Sequence, residues 1–234
     1  MKPKLSMAWS GGKDCSLALW KLQNQSDFDI VELHTTVNGD TRRVGMHGVA
    51  LDLIQAQGDR LNIPIHFIEI PSDSTNDSYE KAMDAYYNSV LDRGIGHIGF
   101  GDIFLEDLKA YRDQMLEGKK LEGVYPLWMG NSQALAEEFI VSGFKAIICA
   151  GKQYPHRSSL AGLNFNHDFL REIPEEVDPC GENGEFHSFV INGPNYTSPI
   201  SIDVGEIQTH HYHFKDKNGI ESKTSFDFAD LRLS

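Results

Sequence analysis

Two short stretches carry residue types suited to chemistry. The first is Ser10-Gly11-Gly12-Lys13-Asp14-Cys15, inside AWSGGKDCSLALW, residues 8–20. Glycines let a backbone approach a ligand and adopt positive φ. A helix beginning near Asp14 offers free N–H groups and the positive end of its dipole, which suits an anion. Lys13 adds a point charge and Ser10 a hydroxyl. Together they read as a cradle for phosphate or pyrophosphate. The spacing is neither a Walker A loop nor GxGxxG. A tight strand-to-helix turn with an exposed lysine is the plain alternative. The second stretch is DPCGENGEFHSFV, residues 178–190, where Glu182 and Glu185 flank a glycine turn. Two carboxylates beside free amides are costly in one loop unless something binds there. A solvated hairpin turn is the alternative here.

These loops need elements to position them. KLSMAWS (4–10), DIVELHTTV (29–37), IPIHFIEI (63–70), IGHIGFGD (95–102) and GVYPLW (123–128) read as strands. Between them, residues 15–25, 46–61, 74–94 and 105–116 have helical spacing. Capping Ser/Thr/Asn residues open the third helix and Gly94 stops it. Strands alternating with helices predict a parallel sheet covered on both faces, a Rossmann-like unit. In such a sheet ligands gather beyond the carboxyl ends of the strands. That places His34, Thr35 and Thr36 on the nucleoside side after strand two, and Gly101 and Asp102 after strand four. Asp102 is a candidate metal or ribose ligand, with Glu106 one turn further on, or it caps the next helix. His47 at a helix start is a binding candidate, a cap or a packed residue.

The second half reads as a smaller α+β domain. A helix over 131–144 with Asn131 as its cap is followed by the buried strand KAIICA (145–150), a loop-rich stretch, the strand FHSFVI, and two further β segments. The expected division is 1–127 for the first domain and 128–234 for the second, packed tightly because no low-complexity linker separates them. HHYHF (210–214) alternates as a surface strand does; no Cys or carboxylate at ligand spacing supports a metal there.

Composition narrows the class. The 234 residues are 40% hydrophobic and 24% charged, which fits a globular protein with a core. No stretch is long and apolar enough for a signal peptide or a membrane span, so the expected compartment is the cytoplasm and no membrane partner is expected. Cys15, Cys149 and Cys180 show no CxxC spacing, so neither a disulfide framework nor a zinc site is indicated. Acidic residues outnumber basic ones 34 to 21, a formal charge of −13, and this field disfavours nucleic acid. A homo-oligomer remains open.

SGGKDC resembles the PP-loop of the N-type ATP pyrophosphatases, whose pattern is Ser-Gly-Gly-x-Asp followed by Ser or Thr. DPCGENGEFHSFV looks like the signature of one branch, the diphthine–ammonia ligase family, also called the ATP-binding domain 4 or DUF71 family. GHIGFGDIFLEDLKAYRDQML and GVYPLWMGNSQALAEEFIVSGFKAIICA extend the similarity over roughly residues 4–205. The resemblance implies an adenine nucleotide alpha hydrolase-like fold and an AMP-forming ligase. A carboxylate attacks the α-phosphorus of ATP, Mg²⁺ helps pyrophosphate leave, and ammonia or an amine attacks the acyl-adenylate.

On that resemblance, Ser10, Gly11, Gly12 and Lys13 hold the β,γ-phosphates. Asp14 orients Mg²⁺ or caps its helix. Cys15 stands where the pattern has a hydroxyl; a thiol donates more weakly, yet a main-chain cradle survives the exchange. A catalytic thiol is the other reading of Cys15. The segment with Glu182 and Glu185 faces the ATP site and helps hold the acceptor or its incoming amine, while Cys180 packs. The acceptor is diphthine, a modified histidine of elongation factor 2, or another carboxylate. The competing functions are a PP-loop RNA-modifying enzyme and a non-catalytic ATP or AMP sensor.

Overall fold

A computed structural model describes residues 1–44, 48–71, 75–156, 158–215 and 221–234. In chain order its elements are β1 (Lys4–Ala8), α1 (Lys13–Gln25), β2 (Asp29–Asn38), β3 (Arg43–Val44), β4 (Val49–Ala50), α2 (Leu51–Leu61), β5 (Ile65–Ile70), α3 (Asn76–Asp92), β6 (His97–Gly99), α4 (Glu106–Leu116) and β7 (Glu122–Val124). The second half adds α5 (Ser132–Val141), β8 (Lys145–Lys152), α6 (His167–Glu172), β9 (Phe186–Asn192), β10 (Ile202–Lys215) and β11 (Glu221–Leu233).

The first sheet is parallel at its centre. β1 pairs with β2 on one side and β6 on the other, β2 pairs with β5, and β6 with β7, all parallel. The parallel strands therefore lie in the order β5-β2-β1-β6-β7. The chain winds outward one way from β1 and then returns to wind the other way from β6. The switch falls between β1 and β6, and a crevice opens at the carboxyl ends of strands at such a point. Short β3 and β4 add an antiparallel fringe beyond β2.

Two apolar clusters cover the sheet. Leu17, Leu19 and Leu22 of α1 and Leu53 and Ile54 of α2 belong to one. Met83, Tyr86, Tyr87 and Val90 of α3 and Leu116 of α4 belong to the other. The α1–α2 cluster continues into Phe139, Ile148, Phe186 and Phe189, so the second half packs onto the first through one unbroken core. The second sheet, β10-β11-β8-β9, is antiparallel throughout.

Most expected elements are present with shorter bounds. Thr75 and Asn131 cap α3 and α5 by accepting the Ser78 and Ala134 amides. The helix expected over 46–61 starts at Leu51, because Val49 and Ala50 pair with β3 instead. The strand expected over 123–128 ends at Val124, ahead of Tyr125 and Pro126, where a turn begins. The tail pairs as one long hairpin, and His210, His211 and Tyr212 lie in β10. No helix among the described residues is long and apolar enough to cross a membrane.

Candidate active site

The cradle sits at the switch point. The Trp9 amide donates to the His34 carbonyl at 2.7 Å, tying the end of β1 to β2. The chain then turns through Gly11 at φ +81, where a Cβ would lie 2.7 Å from Ile54 and 2.8 Å from Gln57. Only glycine meets both demands. Gln57 of α2 holds the turn from beneath, with no exposed surface. Its amide nitrogen donates to the carbonyls of Gly11 (2.9 Å) and Val190 (2.8 Å), and its oxygen accepts from the Trp9 indole (2.8 Å). α1 then begins at Lys13 with Gly12 at its cap position and no side-chain cap. Its first amides have no carbonyl within the helix to bond. One finds a partner in β9, since Lys13 N–H donates to Ser188 Oγ at 3.1 Å. Gly101, after β6, lies so close that a Cβ there would meet the Cys15 nitrogen at 2.8 Å.

These groups open on a cleft of about 450 Å³, whose lining includes Ser10, Gly12, Lys13, His34, Asp102 and Glu182. That volume lies in the range of small-molecule sites. Lys13 is 3% exposed. Its ammonium donates to the Cys180 carbonyl and to Asp14 at 2.9 Å, and lies 5.2 Å from the Phe186 ring centre. Burial alone would lower its pKa; Asp14 foremost among its neighbours outweighs this and raises it, so Lys13 stays charged.

The acids of the cleft are each engaged. Asp102 pairs with Arg112 at 2.7 Å, and Arg112 in turn lies over Phe100. Glu182 accepts the Ile103 amide at 2.8 Å. Burial first, then the charges of Asp14 and Asp102, push its carboxyl up to about 7 despite that hydrogen bond and Lys13. Among the described residues no group of three or more His, Cys, Asp or Glu is close enough to hold a metal ion by itself. The oxygens of Asp14 and Asp102 suit a hard cation that keeps most of its ligands from elsewhere, as Mg²⁺ does when it arrives with phosphates.

The loop before β9 is folded around Asp178. Its carboxylate accepts the amides of Cys180 (2.9 Å) and Glu182 (3.1 Å). Glu185 faces the other way. One of its oxygens accepts from the Asp178 amide and the Asn183 side chain, both at 3.1 Å.

A model of the diphthamide synthase N-terminal domain matches residues 3–121, and one of the diphthamide synthase C-terminal domain matches residues 131–222. The chain belongs to the diphthamide synthase family. The diphthine–ammonia ligase of Bos taurus is 27% identical over 48% of this chain and 44% of its own length. That of Danio rerio is 24% identical over 66% of this chain and 61% of its own. The chain thus spans about half to three fifths of the relatives it matches. A solved structure, the U34-tRNA thiolase NcsA from Methanococcus maripaludis with its 4Fe–4S cluster, is 17% identical over 58% of this chain and 57% of that one. Its TM-score is 0.37, too loose a likeness to carry anything across.

Against this family background, the expected site residues divide. Ser10, Gly12, Lys13, Asp14, Cys15, His34, Gly101, Asp102 and Glu182 all line the one cleft, with Thr35 and Thr36 beside them. Gly11 shapes the turn from behind. Glu185 is outside the lining, because its carboxylate is turned into its own loop. Glu106 is exposed and also outside it. Neither expected acidic cap forms: Gly12 and Leu105 occupy the cap positions of α1 and α4, Asp14 lies in the first turn and Asp102 pairs with Arg112. The Cys15 thiol donates to the Gly12 carbonyl at 3.1 Å, and burial raises its pKa, which disfavours a nucleophilic thiolate. Cys180 is buried and donates to the Ser132 carbonyl at 3.3 Å. His47 lies outside the described residues.

Sequence reasoning missed Gln57, Asp178, Ser188 and Arg112. Gln57 was detectable as the one uncharged polar residue on the apolar face of α2. Ser188 carries no local signal, since it acts on a partner 175 residues away, and Arg112 is one of several charges on α4, singled out only by its reach back to Asp102.

Proposed function

We propose that this chain is an AMP-forming, ATP-dependent ligase that activates a carboxylate and joins it to ammonia or an amine, with diphthine or a related carboxylate as acceptor. The observation that carries the reading is the cradle itself. An uncapped helix N-terminus, a glycine turn and a charged lysine converge at the switch point of a parallel sheet, beside a carboxyl with a pKa near 7. The relatives' names supply the acceptor class and the ammonia donor.

The residues divide the work by chemistry. The amides of Asp14 and Cys15 at the open end of α1 and the Ser10 hydroxyl hold the departing pyrophosphate. Lys13 balances its charge from below, where it also anchors the loop before β9. Asp14 or Asp102 would hold Mg²⁺ together with the phosphates, and the ion would add charge neutralisation on the leaving group. Glu182, as carboxylate, takes the proton released when ammonium becomes the attacking amine. The aromatic wall of Tyr79, Tyr87 and Phe100 keeps water from the acyl-adenylate.

The test is exchange of labelled pyrophosphate into ATP, screened over candidate carboxylates. Exchange that requires one carboxylate is expected, and release of orthophosphate instead would sink the reading. Lys13→Ala is expected to lower exchange by at least about a hundredfold. Full activity in that variant would remove Lys13 from the phosphate site.

A further inference from the structure

Beneath the cleft lies a buried polar chain that the ligase chemistry above does not use. Ser6 of β1, Glu32 and His34 of β2 and Tyr86 of α3 meet there, and Arg93 closes the chain at the surface. Ser6 and Glu32 sit side by side in the sheet, and His34 follows two residues on, on the same face. Ser6 Oγ lies 2.8 Å from His34 Nδ1, 2.6 Å from the Tyr86 hydroxyl and 3.2 Å from Glu32 Oε1. Tyr86 donates to Glu32 Oε1 at 2.7 Å, and Arg93 binds both oxygens of Glu32.

Protons can be counted through this chain. Burial would raise the Glu32 pKa, but Arg93 and Tyr86 overcome it and hold the group below its usual value, so Glu32 is a carboxylate and accepts only. The single Tyr86 proton therefore points at Glu32. The 2.6 Å contact with Tyr86 and the longer 3.2 Å one in which Ser6 donates to Glu32 then compete for the single Ser6 proton, and neither leaves it for His34. The third short contact, Ser6 to His34, is left needing a proton from Nδ1. A bare Nδ1 would set two lone pairs 2.8 Å apart in a buried site. His34 itself is neutral, since burial depresses its pKa to about 3. A neutral imidazole with its proton on Nδ1 has a bare Nε2. The ring also lines the cleft, with Tyr86 tilted against it at 4.7 Å.

We propose that His34 serves as a fixed acceptor, protonated on Nδ1 and presenting a bare Nε2 to an N–H or O–H donor of the nucleoside. Ser6 and Tyr86 are the positioning residues that set this tautomer. The ligand chemistry follows from the lone pair. A phosphate oxygen would face another acceptor and is disfavoured. The amino group of adenine or a ribose hydroxyl supplies the donor. This deepens the ligase reading, because it assumes that the cleft takes ATP.

Two measurements on the full chain test it separately. Long-range proton–nitrogen NMR of histidine-labelled protein, with His34 assigned through His34→Phe, reads the tautomer without any ligand. A protonated Nδ1 and a pyridine-like Nε2 are expected; a protonated Nε2 overturns the proposal. Calorimetry then compares ATP with ITP, 2′-deoxy-ATP and 3′-deoxy-ATP. The analogue lacking the true donor should bind the wild type about tenfold more weakly, and His34→Phe should erase that difference. ITP as the weak binder identifies the adenine amino group, and a deoxy analogue identifies the ribose. Equal binding of all four to the wild type, or unchanged discrimination in His34→Phe, overturns the ligand half. If no nucleotide binds at all, the ligase reading falls with it, while the NMR result still decides the tautomer.

Discussion

The two loops that meet at the cleft are held by different means. The loop after β1 is held by its neighbours: Gln57 from α2, Ser188 from β9 and the backbone of Gly101 after β6. The loop before β9 is folded around its own acids, with Asp178 and Glu185 both accepting amides from within the same turn. Lys13 and Ile103 of the first half and Ser132 of α5 tie its edge. A loop templated from outside inherits the rigidity of the sheet, which suits a site for a common group such as pyrophosphate. A loop folded around its own acids takes its local shape from itself rather than from the sheet, which suits the side where the acceptor enters.

The largest expected effect on stability comes from removing the external template. Gln57→Leu deletes three buried hydrogen bonds and strands the Trp9 indole N–H and the Val190 carbonyl. At about 1 kcal/mol per bond, a loss of roughly 3 kcal/mol is expected in chemical denaturation. ATP affinity should fall with it, because the Gly11 turn loses its support. An unchanged denaturation midpoint would show that the turn holds its shape alone, and the contrast between the loops would fail.

The next contrast lies within the self-held loop. Glu185→Ala removes the acceptor of the Asp178 amide and the Asn183 side chain, and is expected to cost about 1–3 kcal/mol. Exchange activity per folded molecule should barely change, since Glu185 does not line the cleft. Glu182→Gln should do the reverse. It keeps an oxygen for the Ile103 amide and leaves the melting temperature within a few degrees, but slows amide formation by about 10²–10⁴. The pH profile sharpens this. With a pKa pushed up to about 7, Glu182 is protonated below that pH and able to take a proton only above it. Amide formation should rise through pH 7 in the wild type, and that limb should vanish in Glu182→Gln. The linkage runs against stability. The folded carboxyl holds its proton to higher pH than the unfolded one, so its contribution declines as pH climbs from about 4.5 through 7.

The same contrast explains what could be read from the sequence. Alternating elements and their caps are local signals, so the parallel sheet and the Ser10–Cys15 turn were legible from spacing alone. Asn131 capping α5 is one such case. The supports of the turn were not. Gln57 differs from its helix neighbours only in being polar, and its three partners lie at Trp9, Gly11 and Val190. Glu182 and Glu185 look equivalent in a string of residues. They diverge because one carboxylate reaches the Ile103 amide, while the other turns back to Asp178. Asp102 likewise gives no sign in the sequence that it will meet Arg112 across the first turns of α4.

The smallest expected effect concerns Cys15, and it asks whether the cradle depends on the side chain at position 15. The thiol donates to the Gly12 carbonyl, which also accepts from the Ser16 amide at 3.2 Å and the Ser16 hydroxyl at 2.8 Å. That carbonyl is therefore satisfied without position 15. The thiol lies 3.5 Å from the Ser10 hydroxyl and is buried. Cys15→Ser restores the hydroxyl of the PP-loop pattern, trading a polarizable group for a smaller and stronger donor. Stability should shift by less than about 1.5 kcal/mol, and ATP affinity by no more than about threefold, close to a single hydrogen bond's worth. Calorimetric titration of both proteins reads this directly. A gain of more than about tenfold on restoring the hydroxyl would show that side chains hold the phosphates and that the thiol has weakened the site. A loss of that size would show that the thiol itself contacts the nucleotide. Near equality is the result expected of a cradle whose grip lies in its main chain.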